Sequence, residues 1–433
     1  MNRRISIPGI ISYEVILFTL LSGTYFAMRS FILLPQVIPH ARGIAALVVL
    51  MLGVYALLDF LDSGELGRPY FQGIRTALII LAIIVIAVIP TVLAIWMRAI
   101  TEPHRYVHDG LIQSEAATRF VLAGENPYVE DYGNTPLADW PYREGDLTLH
   151  PANSHYPYMP LTFLLPLPLQ WLFEEASGWF DQRIILLLFF GGTLLLAWGL
   201  SERPENRRLL LIAFGLNPLL VLFLIEGRND IMSLFWILAT VRLLQVGRKG
   251  WSGVSLGLAC ATKQFSWFFV PFYFAWIVGS SGSGWRTTFY HLKRPFVIFT
   301  IVLGSVLLPW LLRDAPAFFE DVFAYQSGAS PGKYPIGGFG VGALLLASGV
   351  IHPNSAFPFG LLQFALGLPL LLILLSRTRL NGTLQSVMTG YGLWLLAVLF
   401  LARSFVDNYL GFITSIMAAA AFGDREVTRE EKS

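Results

Sequence analysis

His108, Asp109 and Gly110 follow Arg105, Tyr106 and Val107 about ten residues after an apolar run that ends near Met97. A carboxylate just outside a hydrophobic helix can face a substrate at the membrane surface and take a proton from an attacking hydroxyl. His108 beside it can act as a hydrogen-bond donor. The same aspartate could instead cap a helix, which the sequence predicts over 110–123. Further on, Glu226, Gly227, Arg228, Asn229 and Asp230 precede another apolar run, and Lys263 and Gln264 separate two short ones. Lys333 with Tyr334, and Arg403 with Asn408, complete the polar groups near the ends of apolar runs. Cations in such places either hold an anion or simply flank a span by snorkelling. Asn229 and Asp230 have a helix cap as their plain reading.

The elements that must position these residues are apolar. Of 433 residues, 55% are hydrophobic and 13% charged, and the mean hydropathy is +0.61. A soluble domain carries about 25% charged residues, so this chain reads as an all-α polytopic membrane protein. Disorder, a collagen repeat, a disulfide scaffold and a free-standing nucleic-acid binder are excluded. The only cysteine, Cys260, sits in an apolar run, so no intramolecular disulfide is possible. The first apolar run, 13–35, follows Arg3 and Arg4 and reads as an uncleaved signal anchor.

Further runs cover 43–61, 76–97, 183–200, 209–225, 230–246, 295–312, 358–375, 384–401 and 409–422, with shorter ones at 161–173, 251–262, 265–278 and 338–350. Allowing for the short ones, about 12 crossings are expected. Proline 166 and Pro168 mark 161–173 as re-entrant or interfacial. Arg29, Asp59 and Asp62 lie in or near the first two spans and are expected to pair or face the bundle interior. The organisation reads as an N-terminal hairpin (1–75), a core (76–337) with a polar loop at 98–158, C-terminal helices (338–422) and a charged tail (423–433).

Basic clusters such as Arg203/Arg207/Arg208, Arg248/Lys249, Lys293/Arg294 and Arg377/Arg379 orient the spans, because short cytoplasmic loops are enriched in Lys and Arg. Both termini then lie in the cytoplasm of a cell-membrane protein. Asp109, Glu226, Asn229, Asp230, Lys263, Gln264, Glu320, Asp321, Lys333, Arg403 and Asn408 then all fall on the outer face. Glu320 and Asp321 are expected on the solvated side of a surface helix over 315–325.

The segment from Ala116 to Gly124 has a short amphipathic pattern and would lie on the membrane surface. It runs into Glu125-Asn126-Pro127-Tyr128, and a proline- and tyrosine-rich stretch follows to Tyr156-Pro157-Tyr158-Met159-Pro160. With Gly227-Arg228-Asn229-Asp230, and with the small-residue run from Gly253 through Gly257 to Thr262-Lys263, this order resembles the glycosyltransferase-C superfamily of membrane enzymes. The similarity is strongest to the polyprenyl-phosphate-mannose-dependent mannosyltransferases. It covers about 105–271, more loosely Lys333-Tyr334-Pro335-Ile336 and Asn408-Tyr409.

The resemblance implies transfer of a hexose from a polyprenyl-phosphate donor to a glycolipid or glycan acceptor on the outer face, with inversion. Asp109 matches the family's essential acid in its first large outer loop. That loop here follows the third apolar run rather than the first, as if two helices had been added at the N-terminus. Inversion needs a base opposite the leaving group, and the departing phosphate needs positive charge. Lys263, Arg403, Arg228 and Lys333 are the candidate phosphate ligands. His108, Asn229, Asp230, Gln264, Tyr128, Tyr158, Tyr334 and Asn408 are the candidate sugar contacts. Trp140, Tyr142 and Tyr156 suit sugar stacking, although interfacial aromatic belts explain them as well. With no Asp-x-Asp pair, zinc motif or phosphate loop, no zinc site and no cofactor is expected, and the sequence leaves a divalent metal open. The rival reading is a transporter or flippase for a lipid-linked sugar, which the lack of an internal repeat disfavours.

Overall fold

The computed structural model describes residues 12–28, 41–62, 69–142, 150–280, 285–330, 334–353 and 355–426. Arg3, Arg4, Arg29, Arg68, Lys333, Arg429 and Lys432 lie outside them. The described chain is helical almost throughout. Its one strand pairing is a two-residue parallel bridge, Gly337–Gly338 against Ser404–Phe405.

Among the described residues, four helices are long and apolar enough to cross a membrane: Gly43–Leu61, Tyr70–Ala99, Thr288–Ser327 and Phe359–Asn381. Their outward faces are bare hydrocarbon. Leu312 is 78% exposed and Leu361 68%, and a water-soluble monomer rarely shows apolar patches of that extent. A fifth span counts if Pro204–Gly215 and Pro218–Glu226, bent by 45°, form one crossing. The expected count of about 12 is not confirmed. The apolar helices Tyr13–Met28, Arg183–Gly199 and Leu384–Phe400 have 16 or 17 residues. At 1.5 Å per residue they reach about 25 Å, short of a hydrocarbon core of about 30 Å.

The breaks occur where sequence chemistry requires them. The run 209–225 is interrupted because Pro218 offers no N–H and drives Asn217 out of the helical region, to ψ 112°. Asn217 then caps the next helix at Leu219 N–H, 3.1 Å away. Lys263 is extended between helix Lys249–Thr262 and the 3₁₀ segment Gln264–Phe269. Pro157 and Val322 carbonyls accept from Gln264 Nε2 at 3.1 and 3.2 Å, which fixes that turn. Helix Lys249–Thr262 lies against helix Trp285–Phe319, where a side chain at Gly253 would meet the Pro295 carbonyl at 2.6 Å.

Two buried charge clusters fasten the bundle. Asp59 and Asp62, grouped in the sequence with Arg29, take Arg75 as their partner at 2.6 and 2.7 Å. Arg208 pairs with Glu14 at 2.8 Å, and Tyr55 donates to the same carboxylate, so the N-terminal helices are tied to the core. The second cluster, Arg98, Glu115, Asp181 and Arg183, buries the first half of the next helix, while Arg119 and 122–124 of the expected surface segment stay exposed. Helix Asp109–Leu122 is buried from Gly110 to Thr118, because Glu115 bonds Arg98 at 2.8 Å and accepts from the Gln182 N–H at 2.9 Å. Asp321 is likewise buried rather than on a solvated face.

Candidate active site

Asp109 occupies the first turn of helix Asp109–Leu122, and His108, not Asp109, is the residue that caps it. Asp109 Oδ2 is left for another partner. Gly110 N–H is shared between Asp109 Oδ1 (2.6 Å) and His108 Nδ1 (3.1 Å), and His108 Nδ1 also abuts Asp109 Oδ1. His150 Nε2 lies 2.8 Å from Asp109 Oδ2. Because His150 Nδ1 accepts from Ala152 N–H at 3.1 Å, Nε2 carries the proton that is donated to Asp109. One helical turn beyond Asp109, Gln113 donates to the Ala152 carbonyl at 2.8 Å and so holds the His150 turn over the carboxylate. Burial alone would raise the pKa of Asp109. The adjacent His108 and His150 outweigh it and hold the carboxyl well below the usual range.

Beside this pair opens a cavity of about 650 Å³. His108 and Gly110 line it, together with Tyr158, Arg228, Asn229, Asp230, Lys263, Gln264, Tyr334, Arg403 and Asn408. Lys263 donates to Asp230 Oδ1 at 2.6 Å and to Asn229 Oδ1 at 3.2 Å. Asn408 donates to Asp230 Oδ2 at 2.8 Å. Asn229 and Asp230 therefore spend their side chains on the cavity wall instead of on a cap. Arg228 pairs with Glu226 (3.0 Å) and Asp407 (2.8 Å). Arg403 differs, because its guanidinium donates to the carbonyls of Tyr334, Ser355 and Pro353. Among the described lining residues it is the cation with no carboxylate at ion-pair distance. The lining also includes the apolar rings of Phe265, Trp267, Phe268, Phe323 and Phe359, with Lys263 Nζ 5.0 Å from the centre of the Phe265 ring.

The two walls are joined through the backbone. His108 N–H donates to the Glu226 carbonyl at 2.8 Å. Arg183 Nη1 donates to the carbonyls of Tyr106 (2.7 Å) and Ile225 (3.0 Å), one on each wall. Tyr106 is the described non-glycine residue with positive φ, 57°, a conformation costing about 1 kcal/mol or more that Arg183 helps to hold. Gly227 has φ 93°, and a side chain there would meet Leu111 and Arg183.

Of the residues expected at the site, Asp109 is flanked by the lining residues His108 and Gly110 but does not itself line the cavity, and neither does Tyr128. Tyr128 is buried behind the wall, donating from its hydroxyl to the Tyr158 carbonyl at 3.0 Å, with its ring against Phe318 and Tyr156. Lys333 is outside the described residues. His150, Arg183 and the pair His155–Asp321 (2.8 Å) were not anticipated. His150 lies 41 positions from Asp109, and no local pattern announces such a contact. The sequence signal that existed was two histidines, His150 and His155, inside the polar loop. Among the described residues no three His, Cys, Asp or Glu side chains are grouped as a metal site.

Residues 156–340 match the model of glycosyltransferase family 87. The match indicates a glycosyltransferase, and the apolar helices indicate a membrane protein. It takes in Arg228, Asn229, Asp230, Lys263, Gln264 and Tyr334, and stops short of Asp109 on one side and Arg403 on the other. Neither a curated protein nor a solved structure matches the chain.

Proposed function

We propose that the chain transfers a hexose, with mannose the best fit, from a polyprenyl-phosphate donor to a glycolipid or glycan acceptor at the outer face of the cell membrane, with inversion. The observation that carries this reading is a cavity lined by His108 and Gly110, the residues on either side of the His150-held Asp109 carboxylate, together with an arginine that has no carboxylate partner and several aromatic rings. In the proposed step the acceptor hydroxyl oxygen attacks the anomeric carbon while its proton passes to Asp109. The bond from that carbon to the phosphate oxygen breaks on the opposite side, and the polyprenyl phosphate leaves with the electron pair. Arg403 answers the departing charge, with Lys263 and Arg228 contributing from their carboxylate-bound positions. Asn229, Asp230, Gln264, Asn408, Tyr158 and Tyr334 supply polar contacts for the sugar, and the phenyl and indole rings accommodate the lipid chain. No cofactor is invoked.

The test is transfer from radiolabelled polyprenyl-phosphate mannose in membranes, comparing wild type with Asp109→Asn at matched expression. The expected loss is about a hundredfold to ten-thousandfold, the usual contribution of a general base. Wild-type activity in Asp109→Asn would remove the base assignment. If no polyprenyl-phosphate sugar is used but lipid-linked sugar crosses the bilayer, the transporter reading replaces transfer.

A further inference from the structure

A second cavity, of about 680 Å³, lies where helices Lys249–Thr262 and Trp285–Phe319 meet at the end remote from Lys263. Helix Lys249–Thr262 has 14 residues, so this cavity is separated from Lys263 by about 20 Å of rigid helix. Arg248, Lys249, Lys293 and Arg294 line it with His291, and no Asp or Glu is among its described lining residues. The two helices are pinned together just beyond it. Arg294 Nε occupies the space above Gly250, 3.2 Å from where a side chain would begin, and Gly253 abuts the Pro295 carbonyl. Lys249 Nζ bridges to His291 Nδ1 at 2.9 Å.

Cations gathered in one concavity repel one another, and the positive end of helix Lys249–Thr262 adds to the field. Such an arrangement is stabilised by an anion. The surroundings identify which kind. Trp251 is 62% exposed and Tyr290 78%, amphipathic rings of the sort that sit at headgroup level. Below them the lining turns apolar at Val297 and Ile298, which suits an acyl chain and gives nothing to a soluble anion. We propose that this cavity binds the phosphate of an anionic phospholipid headgroup, in the leaflet opposite the candidate active site.

The experiment uses the purified full chain in phosphatidylcholine-containing detergent, titrated with phosphatidylglycerol, with bound lipid counted by native mass spectrometry. The Arg248→Gln/Lys293→Gln variant should bind phosphatidylglycerol about thirtyfold more weakly, as expected for two surface cations. The charge-preserving Arg248→Lys/Lys293→Arg variant should bind it as wild type does, which separates lost charge from lost folding. Equal binding by wild type and the Gln variant would overturn the proposal. Displacement of phosphatidylglycerol by millimolar inorganic phosphate would overturn the lipid assignment in favour of a soluble anion. Binding is read without any transfer assay, so the outcome is independent of the proposed reaction.

Discussion

The Asp109 carboxylate receives hydrogen bonds from the Gly110 N–H and from His150, with His108 in contact as well. Its proton affinity falls below that of an ordinary aspartate, whose pKa is 3.8. A depressed pKa means that the charged form persists as pH falls and is lost only below the usual range. The acid limb of kcat/KM that belongs to Asp109 is therefore expected below pH 3.8. His150→Ala should move that limb upward, toward the ordinary value, in a pH–rate profile. In the proposed reaction, a base so well satisfied in its ground state does most of its work by orienting the acceptor hydroxyl and takes the proton late. In the cavity lining, Arg403 has carbonyl partners only, so its charge is available to a ligand. Arg403→Gln should raise KM for the donor about tenfold to a hundredfold, the worth of one charge-assisted bond. Arg403→Lys should recover part of the loss. Lys263→Gln is expected to behave differently, because it strands buried Asp230 and so lowers thermal stability together with activity.

At the scale of elements, helix Asp109–Leu122 can start where it does only because Gly110 leaves room for the Tyr158 hydroxyl, which would clash with any side chain there. Gly110→Ala should lower both transfer and the unfolding midpoint, and Gly110→Ala/Tyr158→Phe should recover the midpoint by removing the clashing oxygen while transfer stays reduced for want of that hydroxyl. Arg183 clamps the two site-bearing loops while neutralising Asp181 at 2.7 Å. Arg183→Met leaves Asp181 with Arg98 alone and should cost about 3–5 kcal/mol, read as a lower unfolding midpoint. These elements were unevenly legible in the sequence. The helix start at Asp109, its stop before Gly124, where φ is 81°, and the break at Lys263 follow from local capping and turn chemistry, which sequence carries. The burial of that helix does not. Its amphipathic pattern is the same whether its partner is lipid headgroups or, as here, Arg98 and Gln182 from distant segments. Most of the expected cavity residues converge because they sit at helix ends on one face, a property that charge placement reveals. His150 and Arg183 act through contacts between remote segments and left no local trace.

For the whole molecule, the number of crossings is where a one-dimensional reading gives least. Apolar runs of 14–17 residues look alike whether they tilt through a bilayer or pack inside a bundle, and the bend at Asn217 turns one run into two helices. Sidedness can be tested directly, since Cys260 is buried and gives no background. A cysteine introduced at exposed Glu125 should react with an impermeant maleimide on intact cells, and one at exposed Glu202 only after permeabilisation. The reverse pattern would place the candidate active site in the cytoplasm. A last consequence follows from the His108–Glu226 hydrogen bond and the Arg183 clamp that join the two walls. A site held in one arrangement in this way suits the proposed single displacement, in which both substrates are bound when the sugar moves. Initial-rate plots at several fixed concentrations of the second substrate should therefore intersect rather than run parallel, and no sugar should be released from the donor when the acceptor is left out.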